Sequence, residues 1–415
     1  MPISSIHITN FKGVREVVDL PIRPLNFFIG PNSSGKSSCI HALAALSQTV
    51  KIPNNISPLL LDGEYVHVHL GRFIEVVHSK KYADAISIGI SLDSVPIRRF
   101  GDKKRMLVEH VSAHAKYHFK CTKRTQEIHL SSAELCVGDR IYDVRLATDA
   151  YIITERKSQR KIAAELQSGF LFQDLRLYMS SPDEAELFRS LSFLQTAVQT
   201  ELRKVSYLGP FRQPPTRRYP TRGSSPTEVG ATGEATMTLL ANEVVQSHKR
   251  QHIAKIQKWL KELGLGTKID VSRIATSDLF DVSVDLGDGT SFPLADLGFG
   301  LSQVLPVLTQ CSFAQPGAVL LFEQPELHLH TLAAKKLVGA FIDTVREKNA
   351  RIIAETHSPD LIHQIQAELR SGNLEKEEVG VYRVIREKGA SKITELEIDE
   401  DFSIYENWER GLTKE

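Results

Sequence analysis

The sequence predicts an α/β fold built around a phosphate-binding loop, on three observations. The first is Gly30-Pro31-Asn32-Ser33-Ser34-Gly35-Lys36-Ser37, a P-loop pattern of two glycines followed by Lys and a hydroxyl residue. The second is Ala318-Val319-Leu320-Leu321-Phe322, a continuous apolar run of the kind found in strands buried on both faces, which leads directly into Glu323-Gln324-Pro325-Glu326. The third is the return of alternating strand and helix patterns in the last third of the chain. The loop and the acidic strand lie near opposite ends of the sequence, so the fold is predicted to be split.

The loop has the context it needs. Leu25-Asn26-Phe27-Phe28-Ile29 leads in like a buried strand, and Ile40, Leu43, Ala44 and Ala45 behind it lie close to helical spacing. A phosphate would then sit at a helix N-terminus. Gly30, Asn32, Ser33, Ser34, Gly35, Lys36, Ser37 and Ser38 are the expected phosphate cradle. Lys36 can reach the terminal phosphates, and Ser37 can ligate Mg²⁺. The pattern implies a nucleoside triphosphate ligand, ATP with Mg²⁺.

Strands are expected at Ile6 to Thr9 and Val17 to Leu20 before the loop. From about Glu64 to Lys157 the chain shows short alternating segments, such as Tyr65-Val66-His67-Val68-His69-Leu70, Ile86 to Ile90 and Tyr117 to Cys121. They predict antiparallel strands joined by hairpins. Helical spacing runs from about Asp183 to Val205 and again from Ala235 to Leu263, with a Pro/Arg-rich loop from Gly209 to Arg218 between. Neither stretch sustains a heptad seam. A helix from Leu332 to Val345, a strand at Arg351-Ile352-Ile353-Ala354, and a tail hairpin turning at Lys388-Gly389 complete the pattern. The expected division is residues 1–60 with the P-loop, a β-rich lobe over 61–160, a helical lobe over 161–265, and a second ATPase part over 266–415.

Glu323 follows the apolar strand, where P-loop enzymes hold Mg²⁺ or its waters. A second carboxylate nearby can orient or deprotonate an attacking water, which makes Glu326 a candidate. Thr356-His357-Ser358 ends the next predicted parallel strand. Ligands on open α/β sheets bind beyond the carboxyl ends of strands, which places His357 near a γ-phosphate. Asp296-Leu297-Gly298-Phe299-Gly300-Leu301-Ser302-Gln303 opens a helical stretch whose Gly298, Gly300 and Ser302 can offer groups to an anion.

In this order the four elements resemble the ABC-type ATPase heads of the RecF/SMC and OLD families. Ile6-His7-Ile8-Thr9-Asn10-Phe11-Lys12-Gly13 is similar to the opening of those heads. Glu323 to His330, Glu355-Thr356-His357-Ser358-Pro359 and Tyr207-Leu208-Gly209-Pro210-Phe211-Arg212 resemble OLD-type segments. The resemblance implies an ABC-like split head in which two copies sandwich ATP, the glycine-rich element of one closing the P-loop of the other. Two departures stand out. Gly298 occupies the position where the family signature carries Ser, and Gln324 occupies the usual place of the catalytic Glu. Glu326, or Glu323 in a double role, is then the candidate base, and slow hydrolysis is expected. OLD nucleases carry a TOPRIM domain after the head, and the stretch after His357 is too short for one. The resemblance therefore implies a stand-alone ATPase of a prokaryotic antiphage system, of the Septu or PARIS kind, working with a separate nuclease or toxin effector. A RecF-like repair ATPase acting directly on DNA is the alternative. A transporter ATPase is disfavoured by the wide separation of P-loop and acidic strand.

Bulk properties bound the rest. At 41% hydrophobic and 24% charged residues, the chain has an ordinary soluble composition, with no membrane-length apolar run and no secretory signal at its start. Four scattered cysteines, Cys39, Cys121, Cys136 and Cys311, read as reduced thiols of a cytoplasmic protein. With a net charge of only +1, any DNA surface must be local. Candidates are Arg98-Arg99 with Lys103-Lys104-Arg105, Arg217-Arg218-Arg222, and Lys249-Arg250 with Lys255, Lys258 and Lys261. Asp399-Glu400-Asp401 reads as a solvated run rather than a metal site.

Overall fold

The structure, a computed structural model, describes residues 2–52, 57–100, 106–148, 150–168, 170–172, 182–220, 226–246, 250–274 and 278–398. The chain opens with strands β1 (Ile3–Thr9), β2 (Val18–Pro21) and β3 (Leu25–Ile29), then helix α1 (Ser37–Lys51). A single helical turn, α2 (Phe73–Val76), precedes β4 (Ile86–Phe100), β5 (Met106–Cys121), β6 (Ile128–Val137), β7 (Arg140–Leu146), β8 (Tyr151–Glu155) and β9 (Lys161–Ala164). The short pair β10 (Leu166–Ser168) and β11 (Leu171–Phe172) leads to α3 (Pro182–Arg203). Next come β12 (Val205–Leu208), β13 (Tyr219–Pro220), α4 (Thr236–Gln246), α5 (Gln251–Glu262), β14 (Lys268–Arg273), β15 (Leu279–Asp285) and β16 (Ser291–Pro293). The last elements are α6 (Phe299–Phe313), β17 (Val319–Glu323), α7 (Thr331–Lys348), β18 (Arg351–Thr356), α8 (Pro359–Arg370), β19 (Val379–Glu387) and β20 (Ala390–Glu395).

These elements gather into two compact units, neither of them continuous in sequence. The first is Met1–Ile22, Ser33–Val205 and Ile385–Ile393, and the second is Arg23–Asn32, Ser206–Val384 and Thr394–Glu415. The grouping follows packing, not chain order. Helix α3 belongs to the first unit, whereas α4 and α5 belong to the second.

The first unit is built on an eight-stranded sheet in the order β2-β1-β4-β5-β6-β7-β8-β9. Every pairing in it is antiparallel, and β8 alternates buried and half-buried residues, as a sheet with one covered face requires. β1 joins this sheet through β4, with Ile6 opposite Ile90 and Ile8 opposite Ile88, all of them buried. Helix α1 is nearly all apolar or small and is buried along most of its length. Its Ser47 hydroxyl donates to Leu202 O at the end of α3, 2.8 Å away.

Tyr65 to Leu70, predicted as a strand, forms none. The fully buried Gln48 takes its place as a hydrogen-bond partner. Its Oε1 accepts from His67 N and Val68 N at 3.1 and 3.0 Å, and its Nε2 donates to Leu60 O at 2.8 Å. A side chain thus satisfies backbone groups that a neighbouring strand would otherwise have to pair.

The second unit holds a six-stranded sheet in the order β12-β17-β18-β3-β19-β20. Within it β17, β18, β3 and β19 run parallel to one another. All five residues of β3 and of β17 are buried, as their apolar runs predict. The polar residue of β3, Asn26, is satisfied by Arg23 N, Arg23 O and Ile352 O. α7 carries the chain from β17 to its parallel neighbour β18, and Phe341 of α7 stacks on Phe322 of β17 at 5.6 Å. Lys388 and Gly389, with φ of 50° and 83°, turn the closing hairpin as the Lys-Gly pair predicts. A parallel sheet carrying a P-loop after one strand and an acidic turn after another is the α/β P-loop NTPase fold. It is split, because these two strands come from distant parts of the chain, and it is accompanied by the antiparallel β sheet of the first unit.

Candidate nucleotide-binding site

The P-loop begins where β3 ends and runs into α1. Ser33 and Gly35 both have positive φ, 60° and 97°, which turns the loop back on itself. Only glycine adopts the latter value without strain. Lys36 is buried at 2% exposure and forms the first residue of the helical turn. No side chain caps α1, and its first turn holds no acidic residue. The positive end of the helix dipole therefore faces the loop with no acidic side chain in the first turn, which favours an anion there. Ser34 is buried with its Oγ unpartnered among the described residues, while Ser38 Oγ accepts from Gly13 N at 3.4 Å.

Ser391, which sequence reasoning missed, abuts this loop within the same unit. Its hydroxyl donates to Ser34 O at 2.6 Å, and its N–H donates to Gly13 O at 2.7 Å. No local pattern marks it, because its partners lie at the other end of the chain.

In the second unit three strands end on one edge of the sheet. Ile29 of β3 lies opposite Thr356 of β18, and Glu355 of β18 lies opposite Glu323 of β17. Gly30, His357 and Gln324 follow these positions directly. Glu323 is 7% exposed and accepts a 2.8 Å hydrogen bond from the Tyr207 hydroxyl. Gln324 turns the chain with φ of 46°, its N–H bonded to Glu355 O at 2.8 Å. Glu326 accepts from the Thr356 hydroxyl at 2.5 Å and from the His357 backbone N–H. Its other oxygen, Oε2, is buried and has no partner among the described residues. Burial raises the Glu326 pKa above the ordinary glutamate value, more than its hydrogen bonds and the nearby Arg212 lower it. The His357 side chain is half-buried at the same edge.

Two further residues of this edge lie outside the predicted set. Tyr207 and Arg212 flank a Gly-Pro turn after β12, the strand next to β17. Both are buried, and burial pulls the Arg212 guanidinium down to about 10, still cationic at neutral pH. The signal for them was the Tyr207 to Arg212 segment itself, which carried the resemblance but no assigned role.

The glycine-rich element opens α6, with Gly298 as its cap in open space. Gly300 allows close packing, since a Cβ there would come within 2.9 Å of His328 O. Ser302 is buried, and its hydroxyl donates to Phe299 O at 2.9 Å, inside its own helix. Phe299 between the glycines is 67% exposed.

Residues 1–169, which hold the P-loop, match the family described as "AAA ATPase domain". Residues 232–363, which hold the glycine-rich element, the acidic turn and His357, match the one described as "AAA domain, putative AbiEii toxin, Type IV TA system". Over these two stretches the chain is similar to ATPases of the AAA type. No curated protein sequence matches it. Among solved structures it is similar to an SmcHead bound to the C-winged helix domain of ScpA, with a TM-score of 0.49 and 10% identity over 96% of this chain and 98% of that one. It is also similar to the SMC head domain from Thermotoga maritima, with a TM-score of 0.43 and 9% identity over 96% of this chain and 100% of that one. A third is an Smc head with an extended coiled coil, bound to the C-terminal domain of ScpA derived from Pyrococcus furiosus, with a TM-score of 0.46 and 10% identity over 98% and 99%.

The candidate DNA-contacting cations are in part already paired. Lys255 and Lys258 of α5 pair with Glu347 and Asp343 of α7, and Arg217 holds Asp296 through two nitrogens at 2.7 and 3.1 Å. Lys103, Lys104, Arg105, Arg222, Lys249, the side chains of Arg98 and Arg99, and Asp399-Glu400-Asp401 lie outside the described residues. Among the described residues no helix is long and apolar enough to cross a membrane, and none of the four cysteines is in a disulfide.

Proposed function

We propose that the chain binds ATP with Mg²⁺ at the P-loop, hydrolyses it slowly, and uses the ATP-bound state to hold or gate a separate effector protein in a cytoplasmic prokaryotic defence system. The observation that carries the nucleotide chemistry is the start of α1 directly behind a left-handed glycine, with the buried Lys36 at the head of the helix. Lys36 neutralises the terminal phosphates, while Gly30, Asn32, Ser33, Ser34, Gly35 and Ser38 shape the loop around them. The Ser37 hydroxyl and the Glu323 carboxylate are hard oxygen donors, the chemistry Mg²⁺ prefers. When bound, the metal supplies charge stabilisation to the phosphates.

Glu326 holds and deprotonates the attacking water. Its Oε1 is occupied by Thr356, which leaves Oε2 for that water. His357 follows Thr356 at the strand edge and donates to the γ-phosphate. Because Gln324 has no carboxylate to offer, turnover is slow and the nucleotide-bound form is long-lived. Gly298, Gly300 and Ser302 of a second copy close over the nucleotide. Exposed Phe299 between the two glycines supports this, since a large apolar side chain at that position suits a docked surface.

Support for the defence role comes from the match of residues 232–363, whose family description names the AbiEii toxin and a type IV toxin–antitoxin system. The pairing of the α5 lysines with α7 acids disfavours the alternative of a RecF-like ATPase acting directly on DNA through that face. The test is purification from the native operon. An ATP-sensitive complex with a second polypeptide is expected, and the homogeneous chain should hydrolyse ATP without cutting DNA. Mg²⁺-dependent cleavage by the repurified single protein would overturn the effector model. ATPase activity stimulated by DNA in the absence of any partner would favour the repair reading.

A further inference from the structure

One buried cation of the second unit has no part in the chemistry above. Arg212 is 6% exposed, and its Nη2 donates to Glu323 O at 3.0 Å and to Gln324 O at 3.1 Å. These two carbonyls are its only hydrogen-bond acceptors among the described residues, since Nε and Nη1 have none. They flank the Cα of Gln324, the residue whose φ is 46°. A left-handed glutamine is strained and persists only where its surroundings hold it there. One rigid guanidinium bonded to the peptide on each side of that Cα does so, because it restrains both planes at once.

The segment that delivers Arg212 is itself tightly seated. A Cβ at Gly209 would lie 3.0 Å from the Tyr207 hydroxyl and 3.3 Å from Ala231 O. Tyr207 fastens the Glu323 carboxylate from the same segment. Two residues beyond Gln324 the chain reaches Glu326, so any rotation about Gln324 displaces that carboxylate.

We propose that Arg212 is a positioning residue that locks Gln324 in its left-handed turn and thereby sets where the Glu326 carboxylate meets the attacking water. This rests on the assignment of Glu326 as the group that activates water. Arg212 acts through the backbone of the acidic turn and not on the nucleotide, so its loss slows turnover without loosening ATP. Glycine populates φ > 0 unaided, so Gln324→Gly should replace part of what Arg212 does.

The test is a double-mutant cycle on the full chain, reading ATP turnover and ATP affinity by calorimetry for wild type, Arg212→Gln, Gln324→Gly and the pair. Arg212→Gln is expected to lower kcat on the order of 10- to 100-fold, the scale set by small misplacements of a reacting group. Affinity should hold within about threefold, and the loss should be much smaller when measured in the Gln324→Gly background. Arg212→Lys retains a cation and donors and should fall between; it replaces Arg212→Gln in the cycle if the latter does not fold. Equal losses in both backgrounds, normal turnover of the Arg212 variant, or a parallel loss of ATP affinity would overturn the proposal. A wild-type chain that does not hydrolyse ATP, or a Glu326→Gln variant with full activity, would instead strike the assignment beneath it.

Discussion

The Ser391 hydroxyl donates a 2.6 Å hydrogen bond to Ser34 O, inside the P-loop and 357 residues earlier in the chain. Gly13 and Gly35 both face that hydroxyl. A Cβ on either would come within 2.2 or 2.1 Å of Ser391 Oγ. Gly35 is thus required twice, by its φ of 97° and by this close approach. The closing hairpin places a residue against the nucleotide loop that opens the chain.

Ser391→Leu should push on the P-loop and weaken ATP binding by at least about tenfold, since small displacements of a binding element are costly. Ser391→Ala loses only the hydrogen bond and should destabilise the fold by about 1 kcal/mol with binding nearly intact. Calorimetry and thermal unfolding read the two effects separately. Wild-type affinity in Ser391→Leu would show that the hairpin does not shape the loop.

Lys36→Ala should abolish ATP binding, because it removes the cation facing the terminal phosphates. Ser37→Ala should keep nucleotide affinity in part but lose its Mg²⁺ dependence. Titration of each variant with ATP, with and without Mg²⁺, decides. Retained affinity in Lys36→Ala would sink the P-loop assignment.

Glu326→Gln should bind ATP and hydrolyse it more slowly, by about 10²-fold or more if the carboxylate acts as general base. Glu323→Gln should instead impair Mg-ATP binding. His357→Ala should slow turnover while leaving affinity in place. Normal turnover in Glu326→Gln together with tight Mg-ATP binding in Glu323→Gln would exchange or displace the two roles.

Burial raises the Glu326 pKa in the native state, so the folded protein keeps that proton at pH values where the unfolded chain has released it. The native state binds more protons in that window, and stability must fall as pH rises from the ordinary glutamate value through the raised one. Below the window the contribution is fully present. Glu326→Gln should flatten this slope in denaturant titrations across acidic pH. An unchanged slope would mean that the carboxyl is not desolvated.

Much of this molecule was legible in sequence because short-range chemistry writes it there. The P-loop needs its glycines, lysine and hydroxyl in one unbroken stretch. The strands β3 and β17 are buried on both faces and so read as continuous apolar runs. The Lys388-Gly389 turn needs positive φ at both residues, and the sequence shows it. What the tertiary structure alone decided concerns groups whose partners are far away in the chain. Tyr65 to Leu70 alternates like a strand, yet Gln48 of α1 takes its hydrogen bonds, and alternation cannot reveal which group will pair a backbone. Arg212 and Ser391 look like ordinary loop and strand residues. They become significant only when the sheets bring them to Gln324 and Ser34, because hydrogen bonds depend on proximity in space, which spacing along the chain does not encode.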